Sequence, residues 1–350
     1  SCTWVAIASV STGGAAGDSN VVEVAIAAHG RYVVVRTDAS SLSPLADGFG
    51  QIYRRDVVTG TTELGSRPWA CGPCPAGNNA SAAPDISDDG RYVVFHSAAD
   101  NLIPNDTNNQ VDVFRVDLVA GSIERVSLTD TGAQPTGPSA EPSISADGTR
   151  IAFESDAGLT AGDTNGFTDI FRRDTIAGTT ELMSPDSTAT PADGDSTGAR
   201  ISGDGQAVAF VSQAQDLIPF AYGPGTVYLR KSGTTTAISP NFVGLPGALK
   251  VVGGVDHDGD RITVSNIAAV LIPSTTLYDD TGAIIESWTF ASHSDISGDG
   301  TRVVLSNIFQ QASFLDLDHP NVFSVVSSDS DGVAVGTVWE VAISRDGRTA

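Results

Sequence analysis

The sequence predicts an all-β fold made of repeated four-stranded units, and three observations lead to that prediction. A phrase of the form Ile-Ser-x-Asp-Gly, followed by an apolar run, recurs along the chain. Two further strand-like runs joined by a short turn follow it in most units. No segment has the apolar spacing of an amphipathic helix of several turns. A fixed repeat of four short antiparallel strands is typical of a β-propeller, in which each unit is one blade.

The recurring phrase predicts the first two strands of each blade. Two apolar runs around a tight Asp-Gly turn are the strongest short signal for a β-hairpin. The small residues of the first run suit an innermost strand near the axis. The aliphatic second run suits a strand packed on both faces between neighbouring blades. Copies begin at Ile86, Ile144, Ile201 and Ile296, looser copies at Ile26 and Val255, and a final copy at Ile343.

The third and fourth strands are predicted from a second pair of runs. In the second unit these runs are Asp112–Asp117 and Ser122–Ser127, which flank a turn containing Gly121. Corresponding pairs occur in the first unit, from Gln51, and in the third unit, from Asp169. Each unit therefore contains the four antiparallel strands that one blade requires.

We expect a single propeller domain over residues 1–350, most simply with seven blades. A closing blade built from 338–350 and 1–12 would bring the two chain ends together. The short final unit has two interpretations, a truncated or processed chain, or a neighbouring subunit that donates the missing strands. The six complete units run approximately over 21–66, 81–127, 139–184, 196–239, 248–289 and 292–336.

These units resemble the WD40-like PD40 repeats of the TolB family of propellers. The resemblance rests on the phrase Ile86–Phe95 and on the later Asp-Val/Ile-Phe-x-x-Asp runs that begin at Asp112 and Asp169. It covers almost the whole chain and implies the propeller fold. It implies no single function, because similar propellers serve as binding scaffolds, as gates of peptidases and, in some families, as lyases or lactonases.

Composition narrows the partners and the compartment. The formal net charge is -23, and Lys231 and Lys250 are the only lysines. Phosphate-backbone binding needs a dense Lys/Arg surface, so nucleic acid is excluded as a partner. No apolar run approaches the roughly 20 residues that a membrane helix needs. The abundance of Thr, Ser, Gly, Asn and Asp predicts a secreted or extracellular protein, with the periplasm as a compatible compartment.

Two loops are candidate calcium sites. The segments 106–112 and 163–169 share the spacing Asp-x-Asn-x-x-x-Asp, which places oxygen ligands around a bend, as in short calcium loops. Both lack the first carboxylate of such loops, so the alternative is that the aspartates cap turns and the asparagines supply left-handed backbone. The predicted ligands are Asp106, Asn108, Asp112, Asp163, Asn165 and Asp169.

The three cysteines predict a structural disulfide. Cys71 and Cys74 have the spacing of thioredoxin-type redox motifs, but they lie in a loop with no helix to lower a thiol pKa. The pairing is open between a bridge within this loop and a bridge from Cys2 to one of the two.

The sequence favours a non-catalytic protein over an enzyme, since no catalytic motif fits its predicted context. We expect a secreted propeller that acts as a binding or assembly scaffold for a protein or glycan, or for copies of itself, with calcium at its turns. One alternative is a structural subunit of an extracellular filament or surface layer. The other is an enzyme with its site in the central channel, such as a polysaccharide lyase, where side chains from distant strands converge without a linear motif.

Overall fold

The computed structural model describes most of the chain between residues 10 and 343. The described ranges are 10–46, 48–69, 74–219, 222–239, 248–268, 273–289, 291–307, 312–317, 323–325 and 342–343. Within them, the helices are two single 3-10 turns, Ala28–Gly30 and Ser40–Leu42. Neither has the length or the hydropathy to cross a membrane.

In the described part of the chain, twenty-four strands form six four-stranded antiparallel sheets, each with its strands in chain order. The first three sheets, blades 1 to 3, comprise β1 Val21–Ile26, β2 Tyr32–Thr37, β3 Gln51–Asp56 and β4 Thr61–Leu64; β5 Ser81–Ile86, β6 Tyr92–Ser97, β7 Asp112–Asp117 and β8 Ser122–Arg125; and β9 Ser139–Ile144, β10 Arg150–Ser155, β11 Asp169–Asp174 and β12 Thr179–Leu182.

Blades 4 to 6 repeat the same order. They comprise β13 Ser196–Ile201, β14 Ala207–Ser212, β15 Thr226–Lys231 and β16 Thr234–Ser239; β17 Ala248–Val255, β18 Arg261–Ala268, β19 Ser274–Asp279 and β20 Ile284–Thr289; and β21 Ala291–Ile296, β22 Arg302–Asn307, β23 Ala312–Asp316 and β24 Phe323–Val325. The first strands of consecutive blades lie next to one another around the axis. They are β1, β5, β9, β13, β17 and β21.

The recurring phrase builds the turn between the first two strands of a blade. In blade 2, the Ser87 hydroxyl donates to the Asp89 carboxylate at 2.7 Å and accepts from the backbone N–H of Tyr92 at 2.9 Å. Asp89 also accepts from the N–H of Arg91. Gly90 has a φ of +72°, a left-handed conformation in which glycine is favoured. The Ser and Asp side chains therefore hold the turn that the Gly permits.

The same turn packs against the preceding blade. A Cβ at Gly90 would lie 2.0 Å from the ring of Tyr32 in blade 1, so only glycine fits between them. The Arg54 guanidinium, on β3, lies over the Tyr32 ring and donates to the Gly90 carbonyl at 2.5 Å. Arg115 of blade 2 repeats this arrangement with the carbonyl of Gly148 in blade 3 at 2.6 Å. These contacts fix the packing of blades 1 to 3.

The core consists of the buried middle strands of the blades. Aromatic pairs within blades 2, 3 and 4 have ring centroids 6.0 to 6.3 Å apart. Their members, Phe95, Phe114, Phe153, Phe171, Phe210 and Tyr228, are at most 1% exposed. This burial explains why the second and third strands read as continuous apolar runs.

The predicted number of blades is wrong, because the structure shows six blades and not seven over the residues that it describes. The predicted closing blade lies outside the described residues except for 10–12 and 342–343. In those short pieces, Thr62 on β4 donates to the carbonyl of Val10, and the N–H of Ile343 donates to Asp295 at 3.0 Å. The prediction of a seventh blade rests on the final turn phrase and on a strand-like run near residue 10, and these signals indicate one hairpin and one strand rather than four paired strands.

Candidate functional site

The candidate site is a cavity of about 210 Å³ on the axis of the propeller, and we call this cavity the central channel, or the channel. Inner strands of all six blades line it, together with Ala342 and Ile343. The lining includes Ala25, Pro84 and Gly254, and side chains this small leave open space where six strands converge. The cavity is smaller than the roughly 300–1,000 Å³ typical of pockets for drug-sized ligands. It has room for one side chain or a narrow extended segment.

The lining carries more negative than positive charge. Among the residues that the structure describes, its ionisable side chains are Glu23, Asp85, Glu141 and Asp295, with Arg200 as the one cation. The guanidinium of Arg200 donates to the carbonyl of Ala199 at 3.0 Å. Carboxylates from four different blades therefore line one cavity. Of these four, Asp295 interacts electrostatically with Arg200, and Glu23 interacts with Arg36, which lies outside the lining.

Two of these carboxylates accept backbone hydrogen bonds from a neighbouring blade or from the segment after blade 6. Asp85 accepts from the N–H of Ile144 in blade 3 at 2.9 Å, and Asp295 accepts from the N–H of Ile343 at 3.0 Å. Each also accepts from the N–H of the residue that follows it. Burial raises the pKa of Asp295 to about 6. Both groups hold the inner strands in place.

Three bulges in the inner strands are held by side chains of the preceding blade. The N–H of Ala83 donates to the Glu23 carboxylate at 2.7 Å, and the N–H of Gly198 donates to Glu154 at 3.2 Å. The third bulge lies at Glu141, where the acceptor is a histidine ring. Burial raises the pKa of Glu23 and of Glu154. Both carboxylates are thus partly withdrawn from solvent and engaged with backbone.

His96 and Glu141 form a pair at the third bulge. The N–H of Glu141 donates to Nδ1 of His96 at 3.2 Å, and the Glu141 carboxylate lies 4.0 Å from the same nitrogen. Burial lowers the pKa of His96. The nearby Glu141 opposes that shift, and the Arg36 guanidinium adds to it. A neutral ring with a free lone pair on Nδ1 is what this contact requires.

The predicted calcium loop of blade 2 lies away from the channel, after β6. Asn108 donates its amide to the Asp112 carboxylate at 3.0 Å, and the Ser127 hydroxyl donates to the other oxygen at 2.8 Å. The Arg125 guanidinium lies 2.7 Å from Asp106 and 3.4 Å from Asp112. The structure therefore brings all three predicted ligands of this loop together around a buried arginine.

The predicted loop of blade 3 has the same hydrogen bonds without an arginine. Asn165 donates to the Asp169 carboxylate at 3.0 Å, and the Ser184 hydroxyl donates to it at 2.6 Å. Burial raises the pKa of Asp169 to about 6 and also raises the pKa of Asp163. Among the described residues, no three His, Cys, Asp or Glu side chains converge as a metal site. Each loop supplies two carboxylates and an amide, and calcium there stays a prediction.

The sequence patterns do not predict the residues of the channel site. Glu23, Glu141 and Arg200 line the channel and His96 contacts Glu141, and these four residues lie in different blades and share no linear motif. Aligning the repeats by the Ile of each phrase would have placed Glu23 and Glu141 at the same position, three residues earlier. Of the cysteines, Cys74 is buried. Cys2 and Cys71 lie outside the described residues, so the disulfide stays a prediction.

Comparison with known proteins supports the fold. No family model matches the chain, and no curated protein matches it. The β-propeller domain of the Trilobed protease from Pyrococcus furiosus is 12% identical with a TM-score of 0.56, over 92% of this chain and 88% of that one. An oligogalacturonate lyase from Vibrio parahaemolyticus is 13% identical with a TM-score of 0.55, over 94% of this chain and 86% of that one.

TolB from Acinetobacter baumannii is 16% identical with a TM-score of 0.48, over 79% of this chain. The chain spans 59% of the length of that TolB. At these identities the matches concern the fold and not the activity. The predicted β-propeller fold is confirmed.

Proposed function

We propose that the protein is a non-catalytic binding propeller whose central channel takes a positively charged segment of a protein ligand. The observation that carries the proposal is the lining of the channel, where four carboxylates stand against one arginine. A cleft lined by one sign of charge concentrates ligands of the opposite sign. The net charge of -23 adds long-range attraction for a basic partner.

The size of the cavity favours an extended segment over a folded partner. A space of about 210 Å³ accommodates one side chain with its neighbouring backbone. A folded protein would meet the loops at the mouth of the channel, and only a protruding residue would enter. The ligand class we propose is therefore a peptide segment with lysine or arginine at its tip.

A second candidate function is an enzyme that acts in the channel. The pair of His96 and Glu141 favours it, since an imidazole and a carboxylate can exchange protons with a substrate, and Glu141 lines the channel. A polyanionic substrate, such as the uronate chains that many polysaccharide lyases cleave, fits poorly, because the acidic lining repels it. Turnover of uncharged glycans or basic peptides by the purified protein would favour this candidate.

The remaining elements of the proposal are secretion and self-assembly. The composition supports a secreted or periplasmic protein, and fractionation of the source cells tests the compartment. A filament or surface-layer subunit remains an alternative that light scattering and electron microscopy of the native species test. A monodisperse monomer at every concentration would exclude assembly.

Photo-crosslinking tests the binding proposal. The probe is a nine-residue peptide with one central lysine and an adjacent photoreactive leucine. The control peptides replace the lysine by norleucine or by glutamate. We expect crosslinks from the lysine peptide on the inner strands β1, β5 and β9, and few from the controls. Crosslinks confined to outer strands, or equal labelling by all three peptides, would overturn the proposal.

A further inference from the structure

We propose that Glu141 is the channel residue that contacts the charged group of the ligand, and that His96 is a positioning residue that holds Glu141 in place. The inference rests on the proposed function, because it assumes that the ligand enters the channel. Three independent observations lead to it. They concern the hydrogen bonds of the lining carboxylates, the backbone of Glu141 and the role of His96.

Glu141 differs from the other lining carboxylates in its hydrogen bonds. Glu23, Asp85 and Asp295 each accept at least one backbone N–H, from the next blade or from the segment after blade 6. Within the described part of the chain, the carboxylate of Glu141 accepts no hydrogen bond, and its side chain is 46% exposed. Three of the lining carboxylates therefore hold neighbouring segments of the propeller together, and the carboxylate of Glu141 is available to a ligand.

The backbone of Glu141 is strained for a residue with a side chain. Its φ is +49°, in the left-handed region, and it precedes Pro142, which normally keeps the preceding residue extended. The equivalent positions are Ala83 in blade 2, with a φ of +49°, and Gly198 in blade 4, with a φ of +66°. Glycine or alanine thus suffices for the bulge itself. A strained glutamate at one blade out of three points to a use for its carboxylate.

His96 fixes the direction in which that carboxylate points. Its Nδ1 accepts the N–H of Glu141, as Glu23 accepts that of Ala83 and Glu154 that of Gly198. The acceptor from the preceding blade holds the left-handed residue in the bulge. At Glu141 it therefore holds the side chain that faces the channel. Since burial lowers the pKa of His96, the ring stays neutral and keeps its acceptor at neutral pH.

The first experiment separates the contribution of Glu141 to binding from that of the overall negative charge of the protein. Isothermal titration calorimetry measures the affinity for the lysine peptide and for its norleucine analogue. Removing one charge-assisted hydrogen bond should weaken binding of the lysine peptide by about ten-fold or more in Glu141→Gln. Glu23→Gln keeps an acceptor for Ala83 and should change the affinity less. Glu181→Gln, which removes one negative charge on the outer strand β12, is the matched control and should leave it unchanged.

A relocation variant keeps the test independent of folding. Ala83 occupies in blade 2 the position of Glu141, so Glu141→Ala has a precedent in the same molecule. The double variant Ala83→Glu, Glu141→Ala moves the carboxylate by one blade at constant charge. We expect it to bind the lysine peptide as weakly as Glu141→Ala alone. Affinity equal to that of the natural protein would overturn the specific role of Glu141.

A double-mutant cycle tests His96. His96→Ala should weaken binding of the lysine peptide, and His96→Gln, which retains an acceptor, should restore most of the affinity. In the Glu141→Ala background, His96→Ala should have no further effect, because the two residues act through one carboxylate. Additive losses would overturn the positioning role, since they would mean that His96 contributes separately.

The outcomes distinguish this inference from the proposed function. If the lysine peptide fails to bind the natural protein, or labels only outer strands, the channel proposal itself is wrong. If the peptide labels the inner strands and Glu141→Gln binds it with unchanged affinity, the channel proposal stands and the role of Glu141 is wrong.

Discussion

Blades 2 and 3 contain the same loop network in two different electrostatic settings. In both, an Asn amide and a Ser hydroxyl donate to the buried Asp that begins the third strand, Asp112 or Asp169. In blade 2, the fourth strand places Arg125 beside that network, and in blade 3 the same register position is Leu182. The sequence of the loop alone therefore does not determine whether its carboxylates are neutralised. That depends on the residue that the fourth strand places beside the loop.

In both blades the buried carboxylates affect the stability of the protein, but for different reasons. In blade 2, Arg125 and Asp106 are 5% and 3% exposed, so each charge depends on its partner. In blade 3, Asp169 is buried without a cation, and its pKa rises to about 6. The two blades should therefore respond in different ways to mutation, to pH and to added cations.

The largest expected effect comes from making blade 2 resemble blade 3. Arg125→Leu leaves Asp106 and Asp112 buried without a counter-charge, and breaking a buried pair in this way costs about 3–5 kcal/mol. Urea unfolding at pH 7 measures the loss. The double variant Arg125→Leu, Asp106→Asn should recover part of it. If the double variant is no more stable than the single one, lost packing rather than uncompensated charge explains the effect.

This contrast also shows what the sequence could predict. The Asp-Gly turns, the four strands of each blade and the two Asp-x-Asn-x-x-x-Asp loops are local patterns, and local patterns are visible in a linear sequence. Arg125 could not be assigned to its loop, because it lies on β8 and reaches Asp106 only after the strands pair. His96 and Glu141 meet across two blades, 45 residues apart in sequence. Contacts of this kind depend on the register between strands and on the packing between blades.

A smaller effect is expected from pH, and it should be specific to blade 3. The unfolded pKa of Asp169 is near 3.8 and the folded value is about 6, so the folded state holds more protons between these values. Stability from this group is therefore fully present below about pH 4 and is lost as the pH rises through 6. Urea unfolding at pH 4.5 and 7.5 should show a change of about 2 kcal/mol that Asp169→Asn removes.

The matched variant in blade 2 is Asp112→Asn. Burial raises the pKa of Asp112 too, but Arg125 lowers it and so opposes the shift. We therefore expect Asp112→Asn to change the pH dependence less than Asp169→Asn. Equal changes in both variants would mean that the arginine does not distinguish the two blades.

The smallest expected effect is that of calcium, and the comparison assigns it to one loop. In blade 2 the Arg125 guanidinium already lies between the carboxylates that a cation would use. In blade 3 the described neighbours of Asp163 and Asp169 include no such cation, and Asp169, with a pKa of about 6, is ionised at pH 7.5. A weak site at ten times its dissociation constant would add about 1.4 kcal/mol of stability.

Thermal unfolding at pH 7.5, in EDTA and in millimolar calcium, measures that gain. We expect Asp163→Asn to abolish it and Asp106→Asn to leave it unchanged, since only blade 3 offers carboxylates free of a counter-charge. Loss of the gain in Asp106→Asn alone would reverse the assignment of the loop. No gain in the natural protein would make the calcium prediction wrong for both loops, and the two asparagines would then serve only to hold the turns that begin β7 and β11.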